Sequence, residues 1–182
     1  WRTRTGLVRR WRNTWVGVHT AALPRTDRRR NRARDRALVL TGYGELTSGL
    51  WVRPDNLVGS VAGARERLLR LGVDRDALVF RVSRMDAACE AAALALWDGS
   101  ALDETYRTML AALLAAEPRL ALGGPAAARL SFELGSEAIR HIVRDPLLPS
   151  PIVDTQAREH FFAAMCRFDA LGRDVWRQLQ HD

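Results

Sequence analysis

The side chains best able to do chemistry in this 182-residue chain are arginines set beside tryptophans on short alternating runs. In GYGELTSGLWVRPDN, from Gly42 to Asn56, Trp51 and Arg53 lie two residues apart, so both belong to one face of a strand. Neighbouring runs add His19 in TWVGVHTAAL and Arg81 in ALVFRVS. An arginine bonds a phosphate or carboxylate through two N–H groups, and an indole offers a flat stacking surface. Trp51, Arg53, His19 and Arg81 are therefore the candidate ligand-binding residues, suited to an anionic, partly planar group. Arg28, Arg32 and Arg36 form a second set, sharing one helix flank at i, i+4, i+8. They either contact nucleic-acid phosphates, adding salt-sensitive affinity without sequence choice, or make a solvated face bridged to acids elsewhere.

Catalytic chemistry finds no comparable constellation. GxSxG, HExxH, P-loop and GxGxxG patterns are absent, and Cys89 and Cys166 have no metal-ligand spacing. The chain is read as a non-enzyme with no metal and no cofactor. Both cysteines are expected to be buried free thiols, which suits a reducing cytoplasm.

The formal charge of +7 is unevenly placed. Residues 1–36 hold twelve Arg against two Asp, whereas the remainder holds sixteen Arg against nineteen acids. All 28 basic residues are Arg, a bias of composition, but the N-terminal excess stands out against the acidic remainder. At 47% hydrophobic the chain can bury a core, and it has no apolar run of membrane-spanning length. Its first residue is Trp, which suggests that a preceding segment has been removed.

These side chains need a framework. Thr14–Leu23 reads as a strand ended by Pro24, and Asp27 caps a helix running to about Thr41, with Gly42 as its stop. Ala33, Ala37 and Leu40 are its apolar stripe. Gly44–Thr47 and Leu50–Arg53 form a hairpin about Ser48-Gly49, a helix follows over Val58–Leu71, and Ala77–Ser83 is a last strand. The order is βαββαβ, so the fold class is α+β: a ferredoxin-like domain over residues 13–85, then an all-α domain over 86–182. In the latter, Asp86–Trp97 reads as a buried helix, followed by Leu102–Ala116, Ala126–Val143 and about Asp154–Gln180. Asp145–Pro151 (DPLLPSP) is an extended link.

Alternation assigns Val16, Val18, Leu50, Val52, Leu78, Phe80 and Val82 to the helix-covered sheet face. Trp15, His19, Trp51, Arg53, Val79 and Arg81 then share the other. That face either holds a ligand or packs against the C-terminal helices or a second subunit, with each Arg paired to a carboxylate.

The segment GYGELTSGLWVRPDN resembles the strand-turn-strand GFG-x-L-x-x-G-LW-x-x-P of PaaX-like transcriptional repressors. RRWRNTWVGVH is similar to their W-x-x-x-W strand entry, and LWDGSALDETYRTML to their W-x-x-x-x-L-x-x-x-Y helix start. HIVRDPLLPSPIVD is similar to their DPxLPxxLLP link. The four matches fall in order over nearly the whole chain, although the final helix lacks the family's usual WPG.

The resemblance implies an N-terminal winged helix that reads operator DNA, here missing, with residues 1–12 as the remnant of its linker. It further implies a homodimer that represses aromatic-compound catabolism and senses an aromatic acyl-coenzyme A or related acid. Trp51 and Arg53 take the ligand-contact role by motif position, with His19 and Arg81 added by alternation. The alternatives are a ferredoxin-like nucleic-acid-binding protein, such as a sheet-face RNA binder, or a metal-dependent nuclease related to the CRISPR-adaptation nucleases. The nuclease reading wants an acid at the end of the first strand, where the sequence has HTAALPR.

Overall fold

The computed structural model describes residues 2–23 and 26–180. Pro24, expected to end the first strand, lies outside them. The architecture is mixed α+β. A four-stranded antiparallel sheet is built from β1 (Trp15–His19), β2 (Gly44–Thr47), β3 (Leu50–Pro54) and β4 (Leu78–Val82), in the order β2-β3-β1-β4. The helices α1 (Arg28–Leu40) and α2 (Ser60–Arg70) follow β1 and β3, and α3 (Ala87–Leu94) follows β4. Helices α4 (Gly99–Ala121), α5 (Gly124–Arg144) and α6 (Thr155–Leu179) make up the C-terminal part. No helix among the described residues is long and apolar enough to cross a membrane.

Two compact units result. The sheet unit comprises Thr3–Asp98 together with Pro146–Ile152, and the helical unit contains Gly99–Asp145 and the chain from Val153 onward. The division therefore falls after α3, beyond the expected cut at residue 85, and the link from Pro146 onward belongs to the sheet unit. Its hold there is specific: Arg53 donates to the Pro146 carbonyl and Asn56 Nδ2 to the Leu147 carbonyl, while Leu147 and Leu148 are buried.

Local signals explain most boundaries. The Asp27 carboxylate caps α1 by accepting from the backbone N–H groups of Arg29 and Arg30. Gly42 follows at φ +82°, and an added Cβ would meet the Pro146 carbonyl oxygen at 2.9 Å, so the site takes only glycine without rearrangement. In the helical unit, Asp154 caps α6, which buries Phe161, Phe162, Met165, Phe168 and Val175 against α4 and α5. Helix α4 runs through Pro118 rather than ending before it.

The register corrects the sheet faces. Across β1 and β3, Val16 stands opposite Arg53 and Val18 opposite Trp51; across β1 and β4, Val16 stands opposite Arg81. Directly opposed residues project to the same side, so Trp51, Arg53 and Arg81 lie beneath α1 and α2 with Val16 and Val18. Trp15, His19, Val52 and Val82 lie on the reverse face. That face is not open at Trp15, which stacks on Trp97 at 6.3 Å and meets the edge of Trp11 at 5.3 Å. Ala93, Leu94 and Leu96 pack there too. With both faces of the sheet bearing apolar cover, aliphatic residues no longer mark the helix side, and a one-residue reassignment reverses every side chain.

Three smaller expectations also change. Helix α3 is half-exposed, with only Ala93 fully buried, because it lies on the sheet rather than inside a helical core. The inward stripe of α1 is Arg34, Ala37 and Leu38, leaving Ala33 and Leu40 outward. Cys166 is exposed, and Cys89 is half-buried.

Candidate functional site

The structure gives the four expected ligand residues different surroundings, with His19 on the opposite sheet face from the other three. Arg53 is 3% exposed and spent on the fold: its guanidinium donates to the carbonyls of Thr41, Pro54 and Pro146 and to Asn56 Oδ1. Burial lowers its pKa to about 10, with Tyr43, whose ring lies 5.9 Å away, acting in the opposite sense. Arg81 pairs with Asp55 at 3.2 Å and donates to Ser60 Oγ at 2.9 Å. The same carboxylate takes Arg9 at 2.5 Å and Ser60 Oγ at 2.8 Å, so Asp55 joins residue 9, β4 and the start of α2. These are structural roles. His19 lies on the reverse face of the sheet from Trp51 and shares no site with it.

Trp51 lines a cavity. The space, about 310 Å³, lies between the first half of α1 and the β1–β3 end of the sheet. Thr20, Glu45, Ser48 and Trp51 form its sheet side, and α1 contributes Asn31, Arg34 and Asp35. The volume sits at the low end for small-molecule sites, which are normally concave with a few convergent polar groups.

Arg34 is the unusual member. It is 4% exposed, in contrast to the outward arginines of its helix. Its Nη1 is 3.6 Å from Asp74 Oδ2 and its Nε 3.7 Å from Asp35 Oδ1. Neither is a hydrogen bond, and among the described residues the buried Nε–H has no acceptor. Asp74 is shared, since Arg30 pairs with its other oxygen. The Arg34 Nε is sealed from the cavity, so an acceptor there would meet Arg34 through its Nη groups, whose ion pair with Asp74 is longer than a hydrogen bond.

The expected stripe of Ala33, Ala37 and Leu40 set the inward face of α1 out of phase and so missed Arg34, Asn31 and Asp35. A signal was present: positions 31, 34 and 38 fall on one helical face, and that face ends in Ala37 and Leu38, which point to the core. Arg28, Arg32 and Arg36 do lie exposed on the outward side and form no ion pair with a described residue.

A second groove, about 170 Å³, lies between α5 and α6 in the helical unit. Phe132, Ile139 and Trp176 wall it, and Trp176 Nε1 donates to Ser131 Oγ at 3.0 Å. Among the described residues no three His, Cys, Asp or Glu side chains are grouped to hold a metal.

No family model matches the chain, and no curated protein is similar to it. Among solved structures it is similar to the uncharacterised protein Rv0674 from Mycobacterium tuberculosis, at 21% identity and a TM-score of 0.61, over 94% of this chain and 67% of that one. At that identity the likeness concerns the fold.

Proposed function

We propose that this chain is the effector-sensing part of a PaaX-like transcriptional repressor, with the cavity between α1 and the sheet as the sensing site. The ferredoxin-like arrangement expected of that family is supported by the strand order β2-β3-β1-β4, with α1 and α2 sharing one core on one sheet face. The four ordered motif resemblances support the family. The observation that carries the sensing site is the Arg34 guanidinium, buried with ion pairs longer than hydrogen bonds, in the wall of a cavity that Trp51 also lines.

Of the two effector classes, the cavity suits an aromatic acid better than a complete coenzyme A thioester. A carboxylate can reach Arg34 while a ring lies along the indole; a nucleotide and its phosphates would have to remain outside about 310 Å³. Helix α1 then couples sensing to DNA. Its inner side holds Arg34 and its outer side holds Arg28, Arg32 and Arg36, placed to follow backbone phosphates beside the winged helix of the complete repressor, which acts as a homodimer. A ligand that fits one position of α1 better than another biases both properties. The nuclease alternative has no grouped metal ligands among the described residues to support it.

Calorimetric titration with aromatic acids and their coenzyme A thioesters tests the reading. Saturable binding of an acid, lost in Arg34→Gln and weakened in Trp51→Phe, is the expected result. Binding that both variants retain at full strength would remove the site.

A further inference from the structure

The charges around Arg34 specify more than an acid. Its positive charge is already faced by Asp74, at 3.6 Å, and by Asp35, at 3.7 Å, and Arg30 takes part of Asp74. Two carboxylates, Asp35 and Glu45, line the same cavity. Asp35 accepts no hydrogen bond from a described residue, and Glu45 commits only Oε1, which accepts from the Gly49 N–H at 2.8 Å. Glu45 Oε2 is left without a described partner. A ligand carrying only a carboxylate would gain Arg34 but meet two like charges. A ligand carrying only an ammonium would leave the Arg34 guanidinium with ion pairs longer than hydrogen bonds.

Resting on the cavity as the sensing site, we infer that its occupant is an aromatic zwitterion, with a carboxylate for Arg34 and an ammonium for Asp35 and Glu45. Trp51 suits both remaining parts of such a molecule. An indole attracts a ring through offset or edge contact, and its face attracts a nearby cation. Asp35 and Glu45 approach the cavity from α1 and from β2, so an ammonium between them would draw the two walls together.

The test is calorimetry on the full chain with three probes of one skeleton: phenylalanine, phenylacetate and phenethylamine. The zwitterion is expected to bind at least about tenfold more tightly than either singly charged probe, since one charge-assisted hydrogen bond is worth about that factor or more. Asp35→Asn and Glu45→Gln, at a half-buried and an exposed position, should each lower phenylalanine affinity while phenylacetate affinity holds or rises. Phenylacetate binding as tightly as phenylalanine, or an affinity ratio unmoved by both variants, would overturn the zwitterion while leaving an acid-sensing cavity. No binding by any of the three would overturn the zwitterion and the sensing cavity together.

Discussion

Arg34 and Trp51 line one cavity from two different layers, the first from α1 and the second from β3. Their side chains are distant in sequence, and the pairing of Trp51 with Val18 turns the indole towards the helix layer. The arginine that accompanies Trp51 along the strand, Arg53, has a different task. It ties the end of α1 and the returning link to the sheet through backbone carbonyls.

Arg53 should therefore behave as a structural residue. Truncation to alanine leaves the Thr41 and Pro146 carbonyls without their donor and empties a buried site, at a cost of about 3 kcal/mol or more. Chemical denaturation measures it. Arg53→Ala with unchanged stability but lost ligand affinity would reverse this division of roles.

The outward arginines should show the opposite pattern. Replacing Arg28, Arg32 and Arg36 together by alanine is expected to change stability by no more than about 1 kcal/mol, because each is exposed on the helix surface. Nonspecific DNA affinity should fall, and its logarithmic salt dependence should become shallower by about 2 to 3 units for three lost phosphate contacts. Filter binding across a salt series reads both numbers. An unchanged slope would leave these residues as a solvated face.

Trp51 gives a finer test of the cavity. Trp51→Phe keeps a ring against Val18, and thermal melting should register a loss of about 1 to 2 kcal/mol. Ligand affinity should fall further than stability does, since the smaller ring no longer reaches across the space. Equal affinity in both proteins would show that the indole serves packing alone.

Alkaline pH provides a check that needs no mutation. The two tyrosines are both buried, and burial raises both hydroxyls. Tyr43 is pushed up to about 12, against the opposing effect of Arg53 and Arg67. Tyr106 is raised by burial and by the carboxylate of Asp145, with Arg158 opposing. The unfolded chain loses its tyrosine protons near 10, before the folded chain does. Stability is thus intact below that pH and declines from about pH 10 towards 12, by roughly 1.4 kcal/mol per unit for each group. The chain has no lysine, so no ammonium titration overlaps this window. Arg53, however, lowered to about 10 by burial, offsets the share of one tyrosine there, and the decline that remains is that of the other. Ultraviolet titration should find little tyrosinate at pH 10 in the folded protein. Half-ionisation there would contradict the buried placement.

Much of the framework was legible because its signals are local. Asp27, Gly42, Ser48-Gly49, Asp86 and Asp154 each act on their own backbone, and the elements they bound occur close to where they were expected. The face of each strand was not local. It depends on which residue opposes which across β1, and on α3 and Trp97 covering the reverse side, where aliphatic Val52 and Val82 are as much at home as under α1. Arg34 was hidden by its neighbours. In a helix with six arginines among nine residues, composition speaks for an outward strip, and only the phase set by Ala37 and Leu38 brings one of them inward.

Fluorine NMR of fluorotryptophan-labelled protein, titrated with phenylalanine and phenylacetate, measures the central claim most directly. With Trp51 assigned by Trp51→Phe, its resonance is predicted to shift saturably while those of Trp15 and Trp97, on the reverse sheet face, stay in place. Arg34→Gln should abolish the shift. A Trp51 resonance that stays fixed while ligand binds and another indole responds would place the sensing site elsewhere in the chain.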